Sequence, residues 1–316
     1  MYILDFFKRL TRKANIPILI YLVLNIFVIA GVICLLFNGA FAFWQAMLIG
    51  IVLYAISLLI ALSPIGEWIL RLQTGCRKIK RVEQINFIEP LFREVYEKVK
   101  QLDPTVTDNV KLFMNDDKEP NAFATGRKTM CITEGLLHMP EEQIKATLGH
   151  EFGHLAHKDT DLILVVSVGN MIVSALIIGI RIVIGFFHLI FGIVTALIGG
   201  PEGLFAAIIN GIYHALITAF VVGLTWLWTK IGTLLVMKSS RAKEFEADEF
   251  SFNLGYGNEL CMLLDSFEGS HAKGLFANLA SSHPGKDVRI AKLQELGATY
   301  RASYGAKQVS ISTVQE

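Results

Sequence analysis

The sequence predicts a mainly α-helical integral membrane protein with two transmembrane hairpins, about four membrane helices, and a cytoplasmic α+β domain. Hydrophobic residues make up 53% of the 316 residues and charged residues only 18%, whereas soluble domains carry about 25% charged residues. The charge deficit is concentrated in long apolar stretches. Runs of about 20 apolar residues can cross a hydrocarbon core of roughly 30 Å, and a polar segment separates the two pairs of stretches.

The first transmembrane hairpin is predicted over residues 17–62, after a basic N-terminus at residues 1–16. Pro17 begins an apolar run, the turn Asn38-Gly39 interrupts it, and a second apolar run follows directly. A cleaved signal peptide is the alternative, because residues 40–42 read Ala-Phe-Ala, which resembles a cleavage site. However, the apolar region exceeds the usual 7–15 or so residues of a signal peptide. Two membrane helices are therefore favoured.

The orientation follows from the distribution of basic residues. They are concentrated before the first span and after the second, while the turn at residues 38–40 has none. The positive-inside rule places the N-terminus and the chain after residue 63 in the cytoplasm. The basic residues after the second span are Arg71, Arg77, Lys78, Lys80 and Arg81.

The first part of the aqueous domain is predicted over residues 63–161. Residues 92–102 mix apolar and charged side chains at helical spacing. The stretches 110–114 and 129–132 have the composition of short strands, and they flank a predicted loop at residues 116–127.

A helix is predicted from Pro140 to about His157, since proline suits the first turn and two glutamates follow it. It carries the motif His150-Glu151-Phe152-Gly153-His154. Residues four apart share one helix face, so both imidazoles can bind one metal ion and Glu151 can reach a water in an open coordination position. This arrangement is typical of a hydrolytic zinc site, where the metal lowers the pKa of its water to about 7. The alternative is a helix with two incidental histidines.

The second hairpin is predicted over residues 162–237, with a turn at Gly199-Gly200-Pro201-Glu202. Both of its apolar stretches exceed the roughly 20 residues needed to span a bilayer, so tilting, breaking and extension beyond the bilayer all remain open. Arg181, His188 and His214 lie within them. Intramembrane ionisable residues suggest a transport or relay role. The favoured alternative is that they lie near interfaces or face the protein interior.

A catalytic zinc site requires a third protein ligand and one open position. The best candidate lies in residues 238–316, the second part of the domain, where Glu244 precedes Asp248 by four residues. One helix face could then offer a ligand and a carboxylate that orients a histidine. Glu246 and His157 are rival ligands. A solvated charged helix is the alternative to any metal role.

Composition also bears on redox state and partners. The four cysteines, Cys34, Cys76, Cys131 and Cys261, show no C-x-x-C spacing. They are predicted to be reduced thiols outside any disulfide framework or cysteine metal site. The net charge is +1, and no basic cluster has interleaved aromatic residues, so no nucleic-acid partner is expected.

Four separated segments carry a family resemblance. They are residues 121–126 (Asn-Ala-Phe-Ala-Thr-Gly), the His150–His154 motif followed by Asp159, the segment from Ser240-Arg241 to Ala247-Asp248, and Ser282-His283-Pro284 with Arg289-Ile290. These segments, their order along the chain and the two predicted hairpins resemble those of HtpX-type membrane zinc metalloproteases. These proteases are relatives of the prenyl-protein CaaX endoproteases. Two positions depart from the family: His157 often corresponds to Asn, and Lys243 to Arg.

The resemblance implies a zincin-like catalytic domain with one Zn²⁺ per chain. It implies metal binding by His150, His154 and Glu244, general-base catalysis by Glu151, a supporting position for Asp248, and contacts to the substrate backbone or developing oxyanion from Asn121 and His283. The last role has a physical basis, because a donor aimed at a tetrahedral intermediate contributes about 2.7–4 kcal/mol in comparable sites.

The expected function is a zinc-dependent endopeptidase of the inner membrane that cleaves misfolded or membrane proteins on the cytoplasmic face. By resemblance, its role is quality control under stress, with unfolded polypeptides and the lipid bilayer as partners. A CaaX-type endoprotease is less favoured because such enzymes resemble longer chains with more spans. A non-hydrolytic transporter or assembly factor would use Arg181, His188 and His214 and would not require Glu151.

Overall fold

The structure is a computed structural model. It describes residues 6, 10–11, 15–37, 40–158, 160–266 and 285–301, with the backbone alone at 237–242. The chain forms two compact units, which we call the membrane unit (Met1–Gly66 and Leu162–Val236) and the polar unit (Glu67–Asp161 and Met237–Glu316).

The described elements alternate between these units along the chain. They are α1 (Ile16–Leu36), α2 (Phe43–Ala61), α3 (Pro64–Gln73), α4 (Val82–Leu102), β1 (Lys111–Asn115), β2 (Ala122–Thr125), β3 (Thr129–Thr133), α5 (Glu141–His157), α6 (Thr160–Ile163), α7 (Asn170–Ile198), α8 (Gly200–Ser251), α9 (Gly257–Ser266) and α10 (Lys286–Leu296). A 3₁₀ turn (Glu134–His138) precedes α5, and π-helical turns (Leu164–Gly169 and Phe252–Tyr256) precede α7 and α9.

Four helical segments within the described residues are long and apolar enough to cross a membrane. They are Ile16–Leu36, Phe43–Ala61, Thr160–Ile198 and Gly200–Val236. The prediction of about four membrane helices is therefore confirmed. The third segment is not a simple α-helix, because the π-helical turn interrupts it before α7. The turn predicted at residues 38–39 lies outside the described residues.

A ring of hydrogen bonds joins α1, α7 and α8 inside the membrane unit. Asn25 Nδ2 donates to Asn170 Oδ1 (3.0 Å), and Trp228 Nε1 donates to Asn25 Oδ1 (2.7 Å). Asn170 Nδ2 donates to Tyr21 Oη (2.5 Å), which donates to the carbonyl oxygen of Trp228 (3.0 Å). Because lipid supplies no hydrogen-bond partners, polar groups in a membrane must satisfy one another. This ring therefore links the two hairpins.

The intramembrane arginine faces a neighbouring helix. Arg181 is buried, its Nη2 donates to the carbonyl oxygen of His214 (2.7 Å), and its Nε and Nη2 donate to Thr218 Oγ1 (3.1 and 2.7 Å). The ring centroids of His188 and His214 lie 3.8 Å apart. These contacts agree with the interpretation that such residues face the protein interior.

The polar unit contains a three-stranded sheet with the order β1-β3-β2. β1 runs parallel to β3, and β2 runs antiparallel to it, with Ala124 opposite Met130. β1 and β3 confirm the two predicted strands. The predicted loop at residues 116–127 is wrong in part, because it contains β2. Four residues are too few for a recognisable alternating pattern, and pairing with β3 supplies the missing stabilisation.

Helices α4 and α5 form the core of the polar unit with the sheet. Phe152 on α5 lies 5.5 Å from Phe92 and 5.3 Å from Tyr96 on α4, measured between ring centroids. The helix predicted from Pro140 to about His157 is confirmed as α5. The helical pattern recognised at residues 92–102 covers only the second half of α4. This helix starts at Val82 and continues through Pro90. Buried contacts on one face offset the hydrogen bond that proline removes.

The prediction of four reduced cysteines is wrong for two of them, because Cys76 and Cys131 form a disulfide. The backbone of Arg77 pairs with Met114 on β1, and this pairing brings Cys76 beside the neighbouring strand β3. A separation of 55 residues leaves no spacing signal in the sequence. Cys34 and Cys261 are free thiols.

Candidate metal centre

Three side chains of the polar unit converge to form a candidate metal site. His150 and His154 lie one turn apart on α5, and Glu244 approaches them from α8. One potential ligand atom of each side chain, an imidazole nitrogen or a carboxylate oxygen, lies within 4.8 Å of the other two. His150 Nε2 is 3.5 Å from Glu244 Oε2, and His154 Nε2 is 3.4 Å from Glu244 Oε1.

A glycine allows α5 and α8 to approach closely at this site. A Cβ atom on Gly153 would lie 2.8 Å from Ala247 Cα, closer than two such atoms can pack. Two turns earlier on α5, Ser251 Oγ of α8 donates to the carbonyl oxygen of Ala146 (3.0 Å). The glycine inside the motif therefore serves close helix packing, which brings Glu244 within reach of both histidines.

A buried carboxylate orients the first histidine. His150 Nδ1 lies 2.9 Å from Asp248 Oδ1. An N–H donated to Asp248 directs Nε2, the other ring nitrogen, toward Glu244. Burial opposes ionisation of Asp248, but the adjacent Arg289 guanidinium and His150 hold the pKa of Asp248 below its usual value. Asp248 is therefore an anion and a permanent acceptor for His150.

Arg289 on α10 is the main residue that sequence reasoning missed. Its Nε and Nη2 donate to both oxygens of Asp248 (2.7 and 2.6 Å), and its Nη1 lies 3.4 Å from Glu244 Oε2. In the sequence it stood only as part of a family segment, with no assigned role. Its only sequence signal was that resemblance, because it lies 139 residues from His150.

Glu151 faces the edge strand of the sheet. Its Oε2 accepts a hydrogen bond from the backbone N–H of Ala124 on β2 (2.7 Å), and the side chain is buried beside the two histidines. The N–H of Ala124 therefore points away from β3 and toward the motif. The arrangement places a carboxylate between the candidate ligands and a strand edge that no described strand covers on this side.

The structure separates the rival ligands from this cluster. Glu246 is exposed on α8. His157 packs against Phe250, with ring centroids 6.2 Å apart, and contributes no atom to the ligand cluster. Asn121 is exposed directly before β2, and its backbone pairs with Thr133. His283 and Asp159 lie outside the described residues.

The donor set fits a catalytic metal. Two imidazole nitrogens and one carboxylate oxygen, with a coordination position left open, form one of the usual ligand sets of hydrolytic zinc sites. His150 and Glu244 are buried, and the converging geometry gives Glu244 oxygens at similar distances from both imidazoles. Buried carboxylates are stable when they are paired or when they bind a metal ion.

The four candidate membrane spans and this ligand cluster fit the class of membrane metallopeptidases. The sequence pattern of peptidase family M48 matches residues 89–297. The chain belongs to peptidase family M48.

Curated relatives agree with this assignment. The protein named Protease HtpX homolog from Burkholderia thailandensis is 29% identical over 222 residues, which cover 60% of this chain and 69% of the relative. Proteins of the same name from Burkholderia mallei and Burkholderia pseudomallei are 28% identical with the same coverage. The resemblance to HtpX-type membrane metalloproteases is thereby confirmed.

Proposed function

We propose that this protein is a zinc-dependent endopeptidase that cleaves misfolded and membrane proteins at the cytoplasmic face of the inner membrane. The observation that carries the proposal is the cluster of His150, His154 and Glu244 with Glu151 between it and the edge of β2. Membership of family M48 and similarity to proteins named Protease HtpX homolog support it.

His150, His154 and Glu244 would hold one Zn²⁺, which supplies a Lewis acid that polarises the scissile carbonyl and lowers the pKa of a water molecule. Glu151 then takes the proton of the attacking water at its carboxylate. The protonated Glu151 passes that proton to the leaving amine, so one side chain serves as base and then as acid. Its hydrogen bond from Ala124 keeps the carboxylate aimed at this position.

The edge of β2 supports a substrate in extended conformation. A peptide added along this edge would form backbone hydrogen bonds and lie directly beside Glu151. Because such pairing reads the backbone, it favours unfolded stretches over folded domains. Asn121, at the start of β2, is proposed to bind the substrate backbone, and His283 to stabilise the developing oxyanion.

Asp248 and Arg289 position the ligands without touching the substrate. Asp248 orients His150 through Nδ1, and Arg289 holds Asp248 with two hydrogen bonds. Such supporting contacts typically change metal affinity or activity by about 10–100-fold when they are removed.

The cytoplasmic face is supported by the basic residues that flank the first hairpin, and the quality-control role by the resemblance. The transporter alternative assigns a role in transport to Arg181. The hydrogen bonds from Arg181 to Thr218 and His214 support a structural role instead, in which the side chain joins two helices.

The test measures cleavage of a denatured membrane protein by the purified enzyme, together with zinc per mole of protein. Glu151→Gln should reduce the rate by about 10²–10⁴-fold while zinc stays bound, because it removes a base and not a ligand. Glu244→Ala should lose zinc and activity together, and Glu246→Ala, an exposed matched control on the same helix, should keep both.

Full activity in Glu151→Gln would contradict the hydrolytic mechanism and favour the transporter alternative. If Glu246→Ala lost zinc and Glu244→Ala kept it, the third ligand would be Glu246, about half a helical turn from Glu244. Activity restricted to prenylated C-terminal peptides would favour the CaaX alternative.

A further inference from the structure

Helix α3 has an amphipathic pattern that is reversed relative to a soluble helix. Ile65, Trp68 and Leu72 are 55%, 53% and 61% exposed. At about 100° per residue, these three side chains fall within an arc of about 60° on one face. A helix of a soluble domain turns such a stripe toward the core and its charged residues toward water.

The charged face of α3 is the one that packs on the sheet. Glu67 accepts hydrogen bonds from the backbone N–H of Arg127 (2.9 Å) and from Thr129 Oγ1 (3.0 Å). On the next turn, Arg71 Nη1 donates to Thr129 Oγ1 (3.1 Å), and its guanidinium lies 4.4 Å from the ring centre of Phe113. Rotating α3 to bury the apolar stripe would break these contacts, so the stripe requires a partner outside the polar unit.

The chain itself identifies that partner. α2, a candidate membrane span, ends at Ala61, and α3 begins at Pro64. Tryptophan is enriched at membrane–water interfaces, where its ring is partly apolar and its N–H is hydrated. Four exposed basic residues that suit anionic headgroups follow α3: Arg77, Lys78, Lys80 and Arg81.

We propose that α3 lies in the headgroup region of the phospholipid bilayer, with Ile65, Trp68 and Leu72 inserted into the lipid. It anchors the turn between β2 and β3 at the membrane surface. The lipid contact does not depend on the proposed peptidase activity, whereas its use in catalysis does.

The anchored turn connects the membrane surface to the catalytic strand. Glu67 holds one side of the turn, and a Cβ atom on Gly126 would lie only 2.4 Å from its carboxyl group. On the other side, Thr160 Oγ1 donates to the carbonyl oxygen of Gly126, and Arg127 Nη2 lies 3.0 Å from Asp161 Oδ2.

Gly126 also has a φ of +61°, which favours glycine. Thr160 begins the third candidate span and Glu67 follows the second by a few residues. The turn is thus fixed from both sides by residues that border membrane spans. Two residues earlier, Ala124 donates its N–H to Glu151. A contiguous set of contacts therefore links the lipid-facing helix to the catalytic carboxylate.

The first experiment uses the full-length protein in vesicles of phosphatidylcholine and phosphatidylglycerol. The difference in emission between wild type and Trp68→Phe isolates Trp68 from the other tryptophans. Lipids brominated near the headgroup should quench this component more than lipids brominated deep in the chain, and acrylamide should quench it weakly. Quenching by acrylamide without quenching by bromine would overturn the proposal, as would protection from both, which would indicate a protein partner.

The second experiment measures amide hydrogen exchange of residues 122–127 in the same vesicles. The triple substitution Ile65→Ser, Trp68→Ser, Leu72→Ser should increase exchange by about 10-fold, because the turn loses its anchor. Val82→Ser and Leu102→Ser, at exposed apolar positions of α4, are matched controls that should leave it unchanged. Unchanged exchange in the triple variant would overturn the anchoring role. Neither readout measures peptide hydrolysis, so failure of the proposed peptidase activity cannot be mistaken for failure here.

Discussion

At the residue scale, the site depends on the buried ion pair between Asp248 and Arg289. His150 is useful as a ligand only when Asp248 accepts from Nδ1, and Asp248 stays ionised because Arg289 donates to both of its oxygens. Arg289 Nη1 also lies 3.4 Å from Glu244 Oε2, so one guanidinium contacts both the carboxylate proposed to bind the metal and the carboxylate that orients His150. A planar fork with five donors suits this position better than a lysine ammonium.

Arg289→Lys should weaken zinc binding by about 10–100-fold, because the charge is kept and the two-point contact with Asp248 is lost. Arg289→Met should go further and destabilise the polar unit by about 3–5 kcal/mol, since Asp248 is left buried without its partner. Competition with a metal chelator and thermal unfolding of the zinc-free protein measure the two effects.

Lys292→Met, an exposed position on α10, is the matched control and should change neither quantity. An Arg289→Lys variant with unchanged zinc affinity and a reduced rate alone would contradict a positioning role. It would indicate direct contact between Arg289 and the substrate.

At the element scale, the site is formed where α5 and α8 cross. Neither helix alone carries a complete ligand set: α5 supplies both histidines and Glu151, and α8 supplies Glu244 and Asp248. The distance between the helices at this point is set by the absence of a side chain at Gly153. Packed helices resist small separations because interiors are dense. One added methyl group therefore affects the whole ligand cluster.

Gly153→Ala should destabilise the polar unit by about 1–3 kcal/mol and reduce zinc affinity, because its Cβ meets the backbone of Ala247 and forces the helices apart. Gly223→Ala is the matched control, since a Cβ there meets nothing within 4 Å. Denaturant unfolding and zinc content of both variants provide the measurement. Retention of zinc affinity and stability in Gly153→Ala would show that the crossing can widen without cost.

At the scale of the whole molecule, the orientation of the polar unit and the state of its disulfide are linked. The basic residues around the first hairpin support a cytoplasmic polar unit. Cys76 and Cys131 are bonded in the structure, whereas thiol systems keep most cytosolic cysteines reduced. In a cytoplasmic polar unit, this disulfide would therefore be exposed to reduction by those thiol systems.

Alkylation in intact cells tests this orientation. An introduced Ser310→Cys should react in intact cells with a permeant maleimide and not with an impermeant one applied outside. Cys76 and Cys131 are buried, so their redox state is measured separately, by alkylation of the denatured protein after rapid acid quenching. Cys34→Ser and Cys261→Ser remove the two free cysteines as a background control. Complete oxidation of the pair together with labelling of an introduced Ser310→Cys from outside would place the polar unit in the oxidising compartment and contradict the proposed cytoplasmic face.

The sequence by itself determined the membrane spans and the two histidines, because both depend on local patterns. A long apolar run is visible without knowing the fold, and so is an i, i+4 pair of histidines on one helix face. The same holds for α5, whose start is marked by Pro140 and two glutamates. For Glu244, the four-residue spacing to Asp248 predicted the third ligand over its rivals Glu246 and His157.

Only the tertiary structure decided which distant groups meet. Arg289 reaches Asp248 across 41 residues, and Cys76 reaches Cys131 across 55. β2 forms because it pairs with β3. The apolar stripe of α3 is exposed because the opposite, charged face of the helix contacts the β2–β3 turn. Periodicity reports which face of an element is apolar, but the partner of each face is set by chain folding and dense packing, which bring together residues with no relation in sequence.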